Sequence, residues 1–378
     1  MALTKLNVRS ISGDITADQL DVGQLGGRRN LIINGAMQVA QRGTSKSFAH
    51  DAINSGYLID RFDLELQAVN DELDGTYSQV SDAPDGFSSS LKWTTGTPET
   101  TIDADENMRL EYHIEAQDLQ HLKYGTSSAQ SLTLSFWVKS SITGTYAISL
   151  YQADGVRMIG STYTISTADT WQYVTLTFAG DISGTMNNDT GEGLRIIWTL
   201  ASGSNFNVTD NTSWGAFVLG MFSYGHAQNG VITTASATWQ ITGIQLEVGS
   251  VATPFEHRSY GEELALCQRY YYNSHLDGDF SDYNGQIMVF AAGTSTFGAT
   301  CTVATGREYP TTMRATPTVT LYHQDGTSGA VYVIHTGAKI TGVTVFGPTS
   351  KGFLYAYKAN GFNTGFAYYY GYTAEAEL

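Results

Sequence analysis

Apolar and polar positions alternate with a period of two along much of this chain, and that alternation predicts strands. In the run 131–139, Leu132, Leu134, Phe136 and Val138 fall on one face, with Thr133, Ser135, Trp137 and Lys139 on the other. Such a pattern marks a strand buried on one side only. Ile142-Thr143-Gly144 reads as a turn into 145–151, where Tyr146, Ile148 and Leu150 alternate again. The runs 172–178, 194–200 and 238–246 repeat the pattern, with glycine or Asp-Gly between them. A second series follows at 286–291, 298–303, 318–323, 330–335, 339–346, 352–359 and 366–372. Many short strands separated by turn residues predict an all-β chain built from sandwiches.

One segment breaks the period. Ser259-Tyr260-Gly261-Glu262 fits a capping box, and the residues from Glu262 to Arg269 are good helix formers with acids first and arginine late. A short connector helix is expected there, with Leu264, Cys267 and Tyr271 on one face. A packed connector and a symmetric helix contact between subunits both fit it.

Composition divides the chain in two. All six tryptophans lie between residues 93 and 239, whereas 14 of the 23 tyrosines follow residue 255. Residues 31–255 carry 9 basic and 23 acidic side chains, and residues 256–378 carry 7 and 10. Two cores of different construction are expected: residues 30–255, then a connector over 256–275, then a tyrosine-rich β-sandwich over 276–378. The net charge of −16 argues against the phosphate-neutralising surface that a nucleic-acid binder needs. No run approaches the roughly 18 apolar residues of a membrane span, so no membrane insertion is expected. The two cysteines, Cys267 and Cys301, form no redox or metal motif.

No catalytic set or cofactor loop emerges. A phosphate loop, a nucleophile elbow and metal-type histidine spacing are all missing from the sequence. Asp60, Asp63 and Glu65 cluster around one expected strand, with Asp63 and Glu65 on one face, and Asp103, Asp105 and Glu106 form a turn-like acidic group. A solvated acidic face explains both. The second group is the weak calcium candidate, because hard cations prefer several oxygen ligands. Trp137 lies opposite Leu134 and Phe136, so it is either an exposed stacking residue or part of a second buried layer; Trp93 and Trp214 border turn-rich stretches.

Several strings carry a resemblance. Asn30-Leu31-Ile32-Ile33-Asn34-Gly35-Ala36-Met37-Gln38-Val39-Ala40-Gln41-Arg42-Gly43-Thr44 resembles the opening of the carbohydrate-binding-like jelly-roll domain of bacteriophage tail-fibre and other virion proteins. It departs from that pattern at Ala40, where an aromatic residue is common. Ser135–Ser140, Trp171-Gln172-Tyr173 and Ile241–Gly249 are similar to later parts of the same domain. The most specific signature runs from Ala252-Thr253-Pro254-Phe255-Glu256-His257-Arg258 into Gly261–Tyr271.

The resemblance implies a noncatalytic, cofactor-free virion component, often a homotrimer, assembled in the host cytoplasm and displayed on the particle's exterior. Residues 1–29, with Leu6, Val8, Ile11, Ile15, Leu20, Val22 and Leu25 between polar residues, read as an extended arm docking to another virion protein. The expected partners are thus other copies of the chain, a virion protein and a host glycan or surface protein. A ring with a hydroxyl suits recognition surfaces, so Tyr283, Tyr309, Tyr322, Tyr368, Tyr369 and Tyr370 are the candidate receptor contacts, with core or trimer-interface packing as the alternative. A tail-fibre or receptor-binding protein is the leading expectation. A capsid fibre or head decoration protein is the structural alternative, and a polysaccharide depolymerase using Asp60, Asp63 or Asp103 is the enzymatic one.

Overall fold

The structure, a computed structural model, describes residues 28–378 apart from 49–55, 68–72, 208–211, 224–228, 276–279, 281–286, 291–299, 304–306 and 360–365. The chain is all-β, with antiparallel sheets and a few short helices.

The first strands are β1 (Ser45–Phe48), β2 (Gly56–Tyr57), β3 (Phe62–Gln67), β4 (Gly75–Val80), β5 (Ser90–Thr95) and β6 (Asn107–Glu115). They continue through β7 (Leu132–Ser140), β8 (Gly144–Gln152), β9 (Arg157–Ile165), β10 (Gln172–Phe178), β11 (Glu192–Ser202), β12 (Gly215–Ala216) and β13 (Thr238–Val248). One sheet has the order β1-β4-β5-β13-β7-β10 and the other β12-β9-β8-β11-β6-β3-β2. The alternation fixes which face closes: Leu132, Leu134, Phe136 and Val138 of β7 join Tyr146, Ile148, Leu150, Ile196 and Trp198 of the other sheet in one core, all fully buried. Trp93, Trp198 and Trp239 belong to that core. Trp93, read from the sequence as a loose turn-side residue, is therefore a core residue, placed there by pairing with Trp239 across β5 and β13.

The expected connector helix forms as Tyr260–Cys267, and the Ser259–Glu262 capping box is present. It is shorter than the pattern suggested. Tyr271 leaves the helical face, because β14 (Tyr271–Asn273) begins there and pairs with Thr373–Glu375.

The distal part comprises β14, β15 (Ile287–Phe290), β16 (Thr300–Val303), β17 (Arg307–Glu308), β18 (Thr318–Tyr322) and β19 (Ala330–Val333). It closes with β20 (Ala338–Thr341), β21 (Thr344–Phe346), β22 (Gly352–Phe353), β23 (Tyr355–Ala359) and β24 (Ala367–Glu375). The run expected as one strand over 339–346 breaks at Gly342, whose φ of 72° no strand residue adopts. β24 pairs with β14, β15, β18 and β19, so it lies in the middle of its sheet.

Candidate binding face

The alternate residues of β7 face away from the core between the two sheets: Thr133 and Ser135 are still buried, whereas Trp137 and Lys139 are half-buried. β10 pairs with β7 so that Tyr173 stands opposite Trp137, Thr175 opposite Ser135 and Thr177 opposite Thr133. Tyr173 is 48% exposed, and its ring centre lies 5.3 Å from that of the half-buried Trp137.

On the other side of β7, β13 bulges between Thr242 and Gln245. Gly243 sits in the bulge at φ +62°, and a Cβ there would come within 2.7 Å of Phe87 and 3.1 Å of Trp137. The absence of that carbon lets both rings close over the backbone. Phe87 then meets Phe255 at 5.0 Å and His257 at 5.4 Å, and Phe255 meets His257 at 4.8 Å. A run of five rings thus crosses the face from Tyr173 to His257, exposed at both ends and half-buried between.

Its flank is polar. Lys139, two residues after Trp137, pairs with Asp82 and lies 5.0 Å from the centre of the Trp171 ring, while Trp171 Nε1 donates to Asp82 at 3.4 Å. The hydrogen bond from Lys139 holds the Asp82 carboxyl below its usual range. At the far end, His257 borders a cavity of about 600 Å³ shared with Arg28, Arg258 and Leu266. Flat apolar rings beside hydroxyls, amides and charges can cover the apolar face of a sugar ring and bind its hydroxyls.

The outer side of the second sheet is different: it is largely buried and its charges answer one another. Asp63 stands opposite Glu111, and Glu65 opposite Arg109. Glu111 pairs with Arg109 and, at 3.0 Å, with Arg195; Arg195 also meets Glu192 at 2.7 Å. His113 lies 3.1 Å from Glu192 and 3.4 Å from Glu111. Burial opposes ionisation of Glu111 and Glu192, yet His113 and the arginines outweigh it and hold both carboxyls at about 2. For Asp63, burial and the neighbouring Glu65 push the carboxyl up to about 7. Asp63 and Glu65 do share a strand face, as the sequence indicated.

Other acidic candidates are occupied. Asp60 is fully buried and accepts from the Gln41 backbone and side-chain amides at 2.7 Å each. Glu106 is buried and accepts from the Asp103 backbone N–H at 2.9 Å, with Asp103 and Asp105 exposed. Among the described residues no group of three His, Cys, Asp or Glu side chains is gathered in reach of one metal ion.

The tyrosines expected to be exposed are corrected by the fold. Tyr309, Tyr368 and Tyr370 are 7%, 0% and 1% exposed and belong to the distal core. For Tyr368 and Tyr370 the cause is the central position of β24, which has neighbours along both edges and a core on one face; Tyr309, outside that strand, packs against Phe353 and Tyr372. Tyr322 and Tyr369 are half-buried, Tyr322 stacking on Phe280 at 4.3 Å. Tyr283 lies outside the described residues, as do the arm residues Leu6, Val8, Ile11, Ile15, Leu20, Val22 and Leu25. Of the rings in the binding face, the sequence had singled out Trp137. Tyr173 carried the same strand-face signal, and Phe255 and His257 stood in the family-like signature string, but Phe87 comes from an irregular segment with no periodicity to read.

The family-like strings have a structural job. The Asn30 side chain donates to the Ile244 carbonyl at 3.0 Å and accepts from Leu246 N–H at 3.1 Å. Asn34 Nδ2 donates to the Val39 and Asp60 carbonyls at 2.8 and 3.0 Å. Arg258 donates to the Asn30 and Ile32 carbonyls at 2.6 and 3.0 Å. Arg269 makes two 2.8 Å bonds to Glu115, whose carboxylate also accepts from the Tyr270 hydroxyl at 2.7 Å. These residues therefore tie the first segment, the last jelly-roll strand and the connector together. Trp214 is likewise used internally, donating to the Ala179 carbonyl at 2.7 Å.

No protein-family model matches the chain, and no curated protein matches it. Among solved structures, it is similar to the enzymatically active domain of bacteriophage CBA120 tailspike protein 4, at 10% identity over 58% of this chain and 21% of that one, with a TM-score of 0.30. It thus spans about a fifth of that protein. A family 11 carbohydrate-binding module from Clostridium thermocellum, in complex with a mixed-linked tetrasaccharide, is similar at 12% identity over 56% of this chain and 99% of that one, with a TM-score of 0.28. The carbohydrate-binding module TmCBM61, in complex with β-1,4-galactotriose, is similar at 9% identity, 58% and 99% coverage, and a TM-score of 0.28.

Proposed function

We propose that this chain is a noncatalytic, homotrimeric adhesin on the exterior of a bacteriophage tail, attached through residues 1–29, whose jelly-roll binds a host-surface polysaccharide along the run from Tyr173 to His257. One observation carries the binding reading: Tyr173 stands 48% exposed against Trp137 on the outer face of a sheet whose neighbouring positions there are threonine and serine. Such a ring adds nothing to the core beneath, and its apolar surface is released from water only when a ligand covers it. The buried distal tyrosines support moving the contact from the distal sandwich, where the sequence placed it, to the jelly-roll. Avidity from several copies on one particle would then turn weak sites into firm attachment.

The test is retention on immobilised host polysaccharide together with an assay for reducing ends. Retention without release of reducing ends supports the reading. Release that disappears in Asp63→Asn would make the chain a depolymerase, and a chain not retained by any surface glycan would not be a glycan adhesin.

A further inference from the structure

Where the two sandwiches meet, the jelly-roll presents two arginines to the distal part. Arg61 Cζ lies 3.4 Å from the centre of the Tyr270 ring, and Arg42 Cζ lies 3.5 Å from that of Tyr271. Each guanidinium is therefore held flat by a tyrosine of the signature string that follows the connector helix. Both cations meet at one carboxylate, Glu377, which pairs with Arg61 and, at 3.3 Å, with Arg42; Arg42 also pairs with Glu375 at 3.4 Å and Asp60 at 3.9 Å. The Arg61 and Glu377 side chains are only 1% and 5% exposed.

The backbone around Glu377 is gripped as well. Arg314 donates to the Ala376 and Glu377 carbonyls at 2.8 and 3.0 Å, and also to the Thr190 carbonyl of the jelly-roll. The Tyr57 hydroxyl donates to the Leu378 carbonyl at 3.3 Å, and Leu378 packs against Ile33, Val39, Cys267 and Tyr270. This segment directly continues β24, the middle strand of the distal sheet.

We propose that residues 375–378 are an internal ligand for a two-arginine receptor on the jelly-roll, and that this contact locks the two sandwiches into one body. The connector side is already bonded to the jelly-roll, Arg269 and Tyr270 to Glu115 and Gln41 to the Tyr271 carbonyl; a second attachment from the middle of the distal sheet completes the fixing of orientation. Load applied to the distal part then reaches the jelly-roll through β24 as well as through the connector. The Arg61–Glu377 pair suits this role because separation would leave a buried charge without its partner. The proposal is independent of the glycan reading.

Scanning calorimetry and small-angle scattering of the full chain test it, with Glu377→Gln as the principal variant and Asp105→Asn as control, since Asp105 is exposed and lies outside the contact. The parent chain should unfold in one transition, and so should Asp105→Asn. Glu377→Gln should show two transitions, a larger scattering radius and roughly tenfold faster proteolysis in the connector. Arg42→Gln leaves the Arg61–Glu377 pair in place and should move the same readouts by less, which keeps the test decisive if Glu377→Gln does not fold. Two transitions in the parent, or one transition with unchanged scattering in each of the two variants that folds, would overturn the proposal.

Discussion

Tyr173 stands directly opposite Trp137 across β10 and β7, their ring centres 5.3 Å apart, on the side of the sheet that faces away from the core. The relationship separates binding from stability, because the ring of Tyr173 makes its contacts at the surface. Tyr173→Ala should change unfolding free energy by no more than about 0.5 kcal/mol. The same substitution should weaken glycan binding about tenfold, the equivalent of roughly 1.4 kcal/mol. Denaturant titration beside affinity electrophoresis measures both.

Gly243 supports the ring run from beneath. Gly243→Ala would force φ +62° on a residue with a side chain and set its Cβ 2.7 Å from Phe87. The variant should lose about 2 kcal/mol or more in stability and weaken glycan binding with it, as Phe87 and Trp137 are pushed apart. Gly249→Ala, at φ +116° with nothing within 4 Å, should lose stability without affecting binding.

The distal tyrosines should behave as core residues. Tyr370, 1% exposed, should cost about 3–5 kcal/mol when replaced by alanine, as for other large buried rings. Chemical modification of surface tyrosines in the folded chain should label Tyr173 and spare Tyr368 and Tyr370, which peptide mapping would show.

Stability should depend on pH through the second sheet. The Asp63 carboxyl titrates near 3.9 when unfolded and at about 7 when folded, so the native state holds the extra proton. Ionising it opposes folding, and stability should fall as pH rises from about 4 to 7. His113, raised by Glu111 and Glu192 against the effect of burial, acts in the same direction: its contribution is complete below the unfolded value of about 6.5 and is lost as pH rises through its folded value. Glu111 and Glu192, held at about 2, act oppositely, adding stability that is lost as pH falls from about 4.3 toward 2. Asp63→Asn should flatten the decline above pH 4 in denaturant titrations across pH, while leaving the acid limb in place.

Local pattern carried the sequence reading as far as single elements. The alternation in Leu132–Ser140 is realised with Trp137 outward, and Ser259 with Glu262 caps the helix as spaced. Both depend on residues a few positions apart. The distal tyrosines show where that reach ends. Tyr368, Tyr370 and Tyr372 alternate like any half-open strand, but their burial depends on β24 gathering four partner strands from residues 271–333. The ring run shows the same limit from the other side, since Phe87 and Phe255 are 168 positions apart and meet only after β13 is laid beside β5 and β7. Likewise Asn30, Asn34 and Arg258 of the signature strings hold distant segments of the chain together, which their spacing does not announce.

The most direct test is calorimetric titration of host-surface polysaccharide into the full chain and into the double variant Trp137→Ala/Tyr173→Ala, with circular dichroism confirming that both are folded. The parent should bind, and the folded double variant should lose at least about tenfold in affinity. Undiminished binding by the folded double variant would contradict the assignment of this face as the glycan site.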